Sequence, residues 1–241
     1  MTEGQQVALD KYGAKYLIEP PRGIARESIA AGWRLDLAEV FHEPSPAADV
    51  VSQATEISGT DPAVAVLQLV RPVVLEIGIG RGENIVAAAA QNPETDFIGV
   101  EVYGPGIART ILQAEQIGGL PNLRLIQADA PELLEALPAS SLTEIWIFFP
   151  DPWPKTRHLK RRLIDPDFAD QVAKVLKPQG IVRFATDWLS YAEQIAEVFG
   201  ASAAFTALGD QGRFEGRTLT TFEAKGLRAG RTVTDLAFVR V

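Results

Sequence analysis

The sequence predicts an α/β fold, a mostly parallel sheet with helices on both faces. Three observations point to it. From residue 73 onward, short apolar runs alternate with segments of helical spacing, the rhythm of repeated β-α units. The first three runs end in acids or glycines, around Glu76–Gly82, Glu101 and Asp129, where a strand would give way to a turn. The last run, Val233–Val241, breaks the rhythm and is expected to lie antiparallel at an edge of the sheet.

The elements follow in order. Val73–Ile79 is a strand that stops in glycines, and Glu83–Gln91 is an Ala-rich helix. Phe97–Val102 is a second, buried strand. Pro105–Ile117 has helical spacing and opens on proline, whose missing N–H is not needed in a first turn. Leu123–Ala128 is a third strand, Pro131–Leu137 a short helix and Leu142–Phe149 a fourth strand. The helix Pro166–Leu176 meets a stop signal in Lys177–Pro178–Gln179–Gly180. Ile181–Thr186 is the fifth strand and Trp188–Phe199 an amphipathic helix. Before residue 71 the pattern is less legible. Ser28–Phe41 reads as a strand or short helix around Trp33 and Leu35, residues 42–62 as a Pro-, Ala- and Ser-rich linker, and Ala63–Val70 as a helix. Residues 1–70 are therefore expected to form an arm and linker, and residues 71–241 the principal domain.

A chain of 241 residues with 46% apolar content is long enough for one sizeable core. No stretch approaches 18 apolar residues, and Met1–Asp10 has no charged-then-apolar leader, so neither a membrane span nor a secretory signal is expected. There are no cysteines, which excludes disulfides and thiolate metal sites and fits the cytoplasm. The two histidines, His42 and His158, are too few and too far apart for a metal site. The net charge is −8, but its distribution matters more than its sum. Residues 1–70 hold ten acids and five bases, whereas residues 155–162 hold five Lys or Arg and no acid. Such a patch suits weak, local, salt-dependent binding to RNA.

The most informative run is Phe148–Phe149–Pro150–Asp151–Pro152–Trp153–Pro154–Lys155. Three prolines in five residues forbid both helix and central strand, so the chain leaves the sheet as a stiff loop. The loop carries one carboxylate, one large aromatic and one ammonium. The bases Arg157, His158, Lys160, Arg161 and Arg162 come directly after it. A rigid acid-plus-aromatic loop followed by a basic cluster suits a site for a nucleobase still attached to its phosphate backbone.

The other constellation is Glu76–Ile77–Gly78–Ile79–Gly80–Arg81–Gly82. Alternate glycines permit a tight turn and let a ligand approach where a Cβ would block it. The spacing is G-x-G-x-G, not the G-x-G-x-x-G of dinucleotide sites. Glu76 directly before the glycines repels phosphate and welcomes a cationic ligand. S-adenosylmethionine, with a sulfonium, an ammonium and no phosphate, fits. Glu101 at the second strand end suits the ribose hydroxyls, and Asp129 at the third suits the adenine amino group. The plainer readings are a simple tight turn and, for Asp129 before Ala130–Pro131, a helix cap.

With these motifs in place the chain resembles the bacterial tRNA (guanine-N7)-methyltransferases. The resemblance rests on Leu75–Glu76–Ile77–Gly78, Gly99–Val100–Glu101–Val102, Phe149–Lys155, Arg157–Arg162, Thr186–Asp187 and Thr220–Thr221–Phe222–Glu223 followed by Gly226, and covers about residues 73–241. It implies a Rossmann-like class I methyltransferase fold, with a mostly parallel seven-stranded sheet and helices on both faces. It implies methyl transfer from S-adenosylmethionine to N7 of guanine 46 in the tRNA variable loop. By position, Glu76, Gly78, Gly80, Glu101, Asp129 and Asp151 look like cofactor contacts, with Asp151 also the acid at the reaction centre. Lys155, Asp187, Thr220, Thr221, Phe222 and Glu223 look like substrate contacts, and Arg157, His158, Lys160, Arg161 and Arg162 like the RNA-binding stretch. The acidic arm and the long segment before residue 71 set this chain apart.

N7 of guanine carries an exposed lone pair and no proton, so in-line displacement needs no prior base. Asp151 and Asp187 suit the ring's N1–H and amino group, which would stabilise the developing cation and select guanine over adenine. Trp153 either stacks on the base or braces the loop, the second being favoured. Thr220–Glu223 would, without the resemblance, read as local helix capping. The rivals are an amino-group methyltransferase acting on adenine or cytosine, a small-molecule methyltransferase, and a non-catalytic RNA-binding module of the same fold. Monomer and homodimer both remain open.

Overall fold

In the computed structural model, residues 1–24, 28–41 and 71–241 are described. The elements are α1 (Glu3–Tyr16), β1 (Leu17–Ile18), α2 (Leu37–Phe41), β2 (Val73–Ile77), α3 (Glu83–Gln91), β3 (Asp96–Val100), α4 (Gly104–Gln116), β4 (Leu123–Ile126), α5 (Ala130–Ala136), β5 (Leu142–Phe148), a 3₁₀ turn (Thr156–Arg161), α6 (Pro166–Val175), β6 (Leu176–Thr186), α7 (Leu189–Ala201), β7 (Phe205–Ala207), α8 (Thr221–Arg228) and β8 (Thr234–Arg240). The expected linker and the helix at Ala63–Val70 fall outside the described residues, as does His42.

The strands form one sheet in the order β1-β4-β3-β2-β5-β6-β8-β7. β1 through β6 pair in parallel, and β8 runs antiparallel to both neighbours. Two expectations need correction. The sheet has eight strands among the described residues rather than seven, because the two-residue β1 adds to the β4 edge. The last strand is antiparallel as expected but does not lie at an edge, since the three-residue β7 pairs outside it. Strands of two and three residues carry too little pattern to be read from sequence.

Alternation along the strands splits the core between the two faces. Leu75, Ile77, Ile145, Ile147, Val182 and Phe184 pack on the side of α5, α6 and α7. Val74, Phe97, Leu125 and Trp146 pack on the side of α1, α3 and α4. Both faces of β2 are buried, as parallel central strands require. Glu76 falls on the second face, in register with Trp146 of β5 and Gly99 of β3, where an apolar side chain would be ordinary.

The stop signal after α6 works differently from its reading. The helix does end at Val175, but strand pairing begins at once, with Leu176 opposite Leu142, and resumes with Ile181 opposite Glu144. Lys177–Gly180 is the bulge between, and Gln179 sits there at φ 64°. Pro178 cannot donate to a ladder, so the extra residues are extruded rather than paired.

The arm is joined to this frame. α1 has a full capping box at Thr2 and Gln5, and Ala8 and Tyr16 are buried among the side chains of α3 and α4. The Tyr16 hydroxyl donates to Glu115 on α4 at 2.6 Å and accepts from the Leu120 N–H at 3.2 Å. Strand order reverses between β2 and β5: β3 and β4 extend to one side, β5 and β6 to the other. In open α/β sheets the crevice beyond the carboxyl ends at such a reversal is where ligands sit.

Candidate active site

Two loops leave the sheet side by side at this reversal, the glycine run after β2 and the proline run after β5. Gly78, Gly80 and Gly82 all have positive φ, at 76°, 56° and 77°, which side chains with a Cβ rarely adopt. At Gly78 and Gly80 nothing lies within 4 Å of where a Cβ would stand, so the backbone is open to a ligand. At Gly82 a Cβ would lie 2.2 Å from Thr110 Oγ1. A Cβ on Gly106 would lie equally close, 2.2 Å, to the Gly80 carbonyl, so α4 presses the loop into shape from behind.

A cavity of about 400 Å³ opens between this loop, the end of β5 and the start of α8. Glu76, Gly78 and Gly80 line one side; Thr220, Thr221 and Phe222 line the other, with Phe148 and Phe149 between them. The glycine loop and the Thr-Thr-Phe segment, 138 residues apart at Glu83 and Thr221, are thus brought to one place. Glu101, Asp129, Asp151, Lys155 and Asp187 lie outside the lining of this cavity.

Glu76 is buried, and loss of water pushes its carboxyl up to about 8 despite a hydrogen bond from Asn84 Nδ2 at 2.9 Å. Glu101 follows β3 and accepts the N–H groups of Gly80 and Tyr103, at 2.9 and 3.0 Å, one on each carboxylate oxygen. Each oxygen keeps a second lone pair for a ligand. Asp129 occupies the N-cap position of α5, as the plainer reading had it, but makes no side-chain cap bond into the first turn; the backbone of its neighbour Ala130 helps to hold the carboxylate. Its carboxyl is raised by partial burial and then by neighbouring Glu132.

The proline loop stores strain. Phe149 and Trp153 have φ of 54° and 41°, unusual for aromatic residues and a known mark of functional loops. Asp151 is exposed. Arg161 lies 5.0 Å above the Trp153 ring and His158 meets its edge at 5.8 Å, so this indole braces the turn that follows. Arg157, Lys160 and Arg161 are exposed, whereas Arg162 is turned inward. Its guanidinium donates to the Pro152 carbonyl, the Ser190 carbonyl and hydroxyl, and Gln194, which ties the proline loop to α7.

The last predicted group divides in two. Thr220 caps α8 through the Glu223 N–H at 3.2 Å, the local role its sequence suggested, and Phe222 is half exposed beside Phe149. Glu223 is buried, with an oxygen 2.6 Å from Arg217 Nη1 and another 3.2 Å from Arg213. Asp187 lies 2.6 Å from Arg231, against Gly226 of α8. Sequence reasoning missed Arg217, a fully buried guanidinium held between Glu223 and Asp235 and lying over the rings of Phe148 and Phe149. Its one available signal was position, three residues before Thr220. Glu83 and Asn84 were also missed, because acids and amides at a helix start read as ordinary first-turn residues.

Comparison with known proteins gives this site a context. The family model described as "Putative methyltransferase" matches residues 70–236. A protein of Nitrosococcus oceani named tRNA (guanine-N(7)-)-methyltransferase is 49% identical over 168 residues, which are 69% of this chain and 71% of that one. Proteins of the same name from Cutibacterium acnes and Arthrobacter sp. strain FB24 are 40% and 34% identical; their alignments span all of this chain and 80% and 91% of theirs.

Proposed function

We propose, from the premise that this chain belongs to the tRNA (guanine-N(7)-)-methyltransferase family, that it moves a methyl group from S-adenosylmethionine to N7 of guanine 46 in the tRNA variable loop. The observation that carries the reading is the pairing of β2 with β5, which sets a buried acid and an open glycine turn beside a strained loop bearing Asp151.

The residues fit a cationic donor. Glu76 is a buried carboxyl whose hydrogen bond from Asn84 does not offset its loss of water, and an ammonium beside it would restore its charge. Gly78 and Gly80 leave room for the donor's body; Glu101 and Asp129, at the ends of the next two strands and beyond the cavity's lining, would take its ribose and its adenine. The donor supplies an activated methyl group; the protein supplies alignment and charge. Holding nucleophile and electrophile in line is worth about 7–11 kcal/mol in favourable cases. Asp151, on a loop fixed by prolines and by Arg162, would accept hydrogen bonds from the guanine edge as positive charge reaches the ring. Asp187 is already paired with Arg231, so it serves guanine through that pair or by exchanging partners. Lys155, Arg157, His158, Lys160 and Arg161 would grip phosphates and set register. Because N7 lies in the deep groove of an RNA helix, the target base must be presented from a loop.

The test is incorporation of a labelled methyl group into a tRNA transcript and into its guanine-46-to-adenine variant. Label confined to the first supports the assignment. Equal label in both would remove position 46 from it.

A further inference from the structure

Asn84 has a place in the site that the reaction scheme above leaves unused. It is buried in the first turn of α3, directly after the glycine loop. Its Nδ2 donates to Glu76 at 2.9 Å, and its Oδ1 accepts the Thr218 N–H at 2.8 Å. A backbone N–H only donates, so Thr218 fixes the amide's orientation and aims an N–H group at Glu76. Next to it, Glu83 accepts the Thr221 N–H and hydroxyl at 2.5 and 2.8 Å. Two consecutive side chains therefore hold residues 218–221 across the cavity, and one of them also touches the acid on its far wall.

We propose that Asn84 is a positioning residue that couples donor binding at Glu76 to ordering of the 218–222 segment, which carries Thr220, Thr221 and Phe222 toward the RNA. The inference rests on the donor reading given above. A cation seated at Glu76 keeps that side chain ionised, and a hydrogen bond from Asn84 to a carboxylate is stronger than one to a neutral acid. The amide is then held harder at one end and grips Thr218 better at the other. The coupling is reciprocal: donor tightens tRNA, and tRNA tightens donor by the same factor.

The test is hydrogen exchange of peptides covering residues 217–223, with and without S-adenosylhomocysteine, in the wild type, Asn84→Ala and Asn84→Ser, together with calorimetric affinities. In the wild type, S-adenosylhomocysteine should slow exchange at 218–222 about tenfold. In both variants that protection should vanish and affinity should fall about tenfold. The serine variant, whose short hydroxyl cannot span both partners, decides the matter if the alanine variant does not fold. Wild-type affinity in a folded variant, or protection of 218–222 that persists there, overturns the inference while leaving the donor reading intact. A wild type that fails to bind S-adenosylhomocysteine overturns both.

Discussion

Glu76 is the buried carboxyl that lines the candidate site. Burial raises it to about 8, well above its value in an unfolded chain, so the folded state holds a proton that the unfolded state has released. Its contribution to stability is therefore complete below the unfolded pKa and is lost as pH climbs through about 8. Glu76→Gln should raise the Tm relative to wild type at pH 9, leave it little changed at pH 4, and abolish donor binding by calorimetry. Wild-type donor binding near pH 7 should release a proton, read from the dependence of the binding enthalpy on buffer ionisation. Asp151 differs because it sits exposed on a braced loop. Asp151→Ala is expected to lower turnover by about 10²–10³-fold with an unchanged Tm, and near-wild-type turnover in the folded variant would displace it from the centre of the reaction. The placement of both acids was legible in the sequence, since alternate glycines after an apolar run mark the end of a strand and closely spaced prolines mark a loop. The orientation of Glu223 and Asp187 was not, because whether a carboxylate meets solvent or an arginine depends on Arg217 and Arg231, distant partners that a local pattern cannot show.

At the scale of elements, the basic segment Arg157–Arg162 behaves as two parts. Arg157, Lys160 and Arg161 face solvent, and Arg162 fastens the loop to α7. Replacing the three exposed residues by Ala should raise the KM for tRNA, leave the Tm alone, and lower the slope of log affinity against log salt by about 2. Arg162→Ala should instead lower the Tm and kcat with little change in that slope, because it strands the Pro152 and Ser190 acceptors rather than removing a phosphate contact. The charge count exposed the patch but not its division. The helices were the most readable elements: Glu83–Gln91 has the bounds expected of it, because alanine content and flanking glycine leave no alternative. β6 was half read, since the sequence shows that Lys177–Gly180 stops a helix but not that a strand has already begun.

For the whole molecule, the order of strands sets where the candidate site lies; repeated β-α units made the parallel sheet with helices on both faces inferable beyond residue 73, but not the order of its strands. The arm was not inferable, because α1 is held by tertiary contacts more than by its own apolar face. Tyr16 shows why: a fully buried phenol serves Glu115 and the Leu120 N–H at once. Tyr16→Phe should cost about 1–2 kcal/mol, seen as a fall of a few degrees in Tm, without changing the kcat of the folded enzyme. Among the described residues no helix is long and apolar enough to cross a membrane, and no group of three or more His, Cys, Asp or Glu could hold a metal ion.

The most direct test of the account is nucleoside mass spectrometry of tRNA incubated with the purified protein and S-adenosylmethionine. The new nucleoside should be 7-methylguanosine, absent when Asp151→Ala replaces the wild type. N6-methyladenosine or a methylated cytidine in its place, or no methylated nucleoside from a folded protein that binds tRNA, would contradict it.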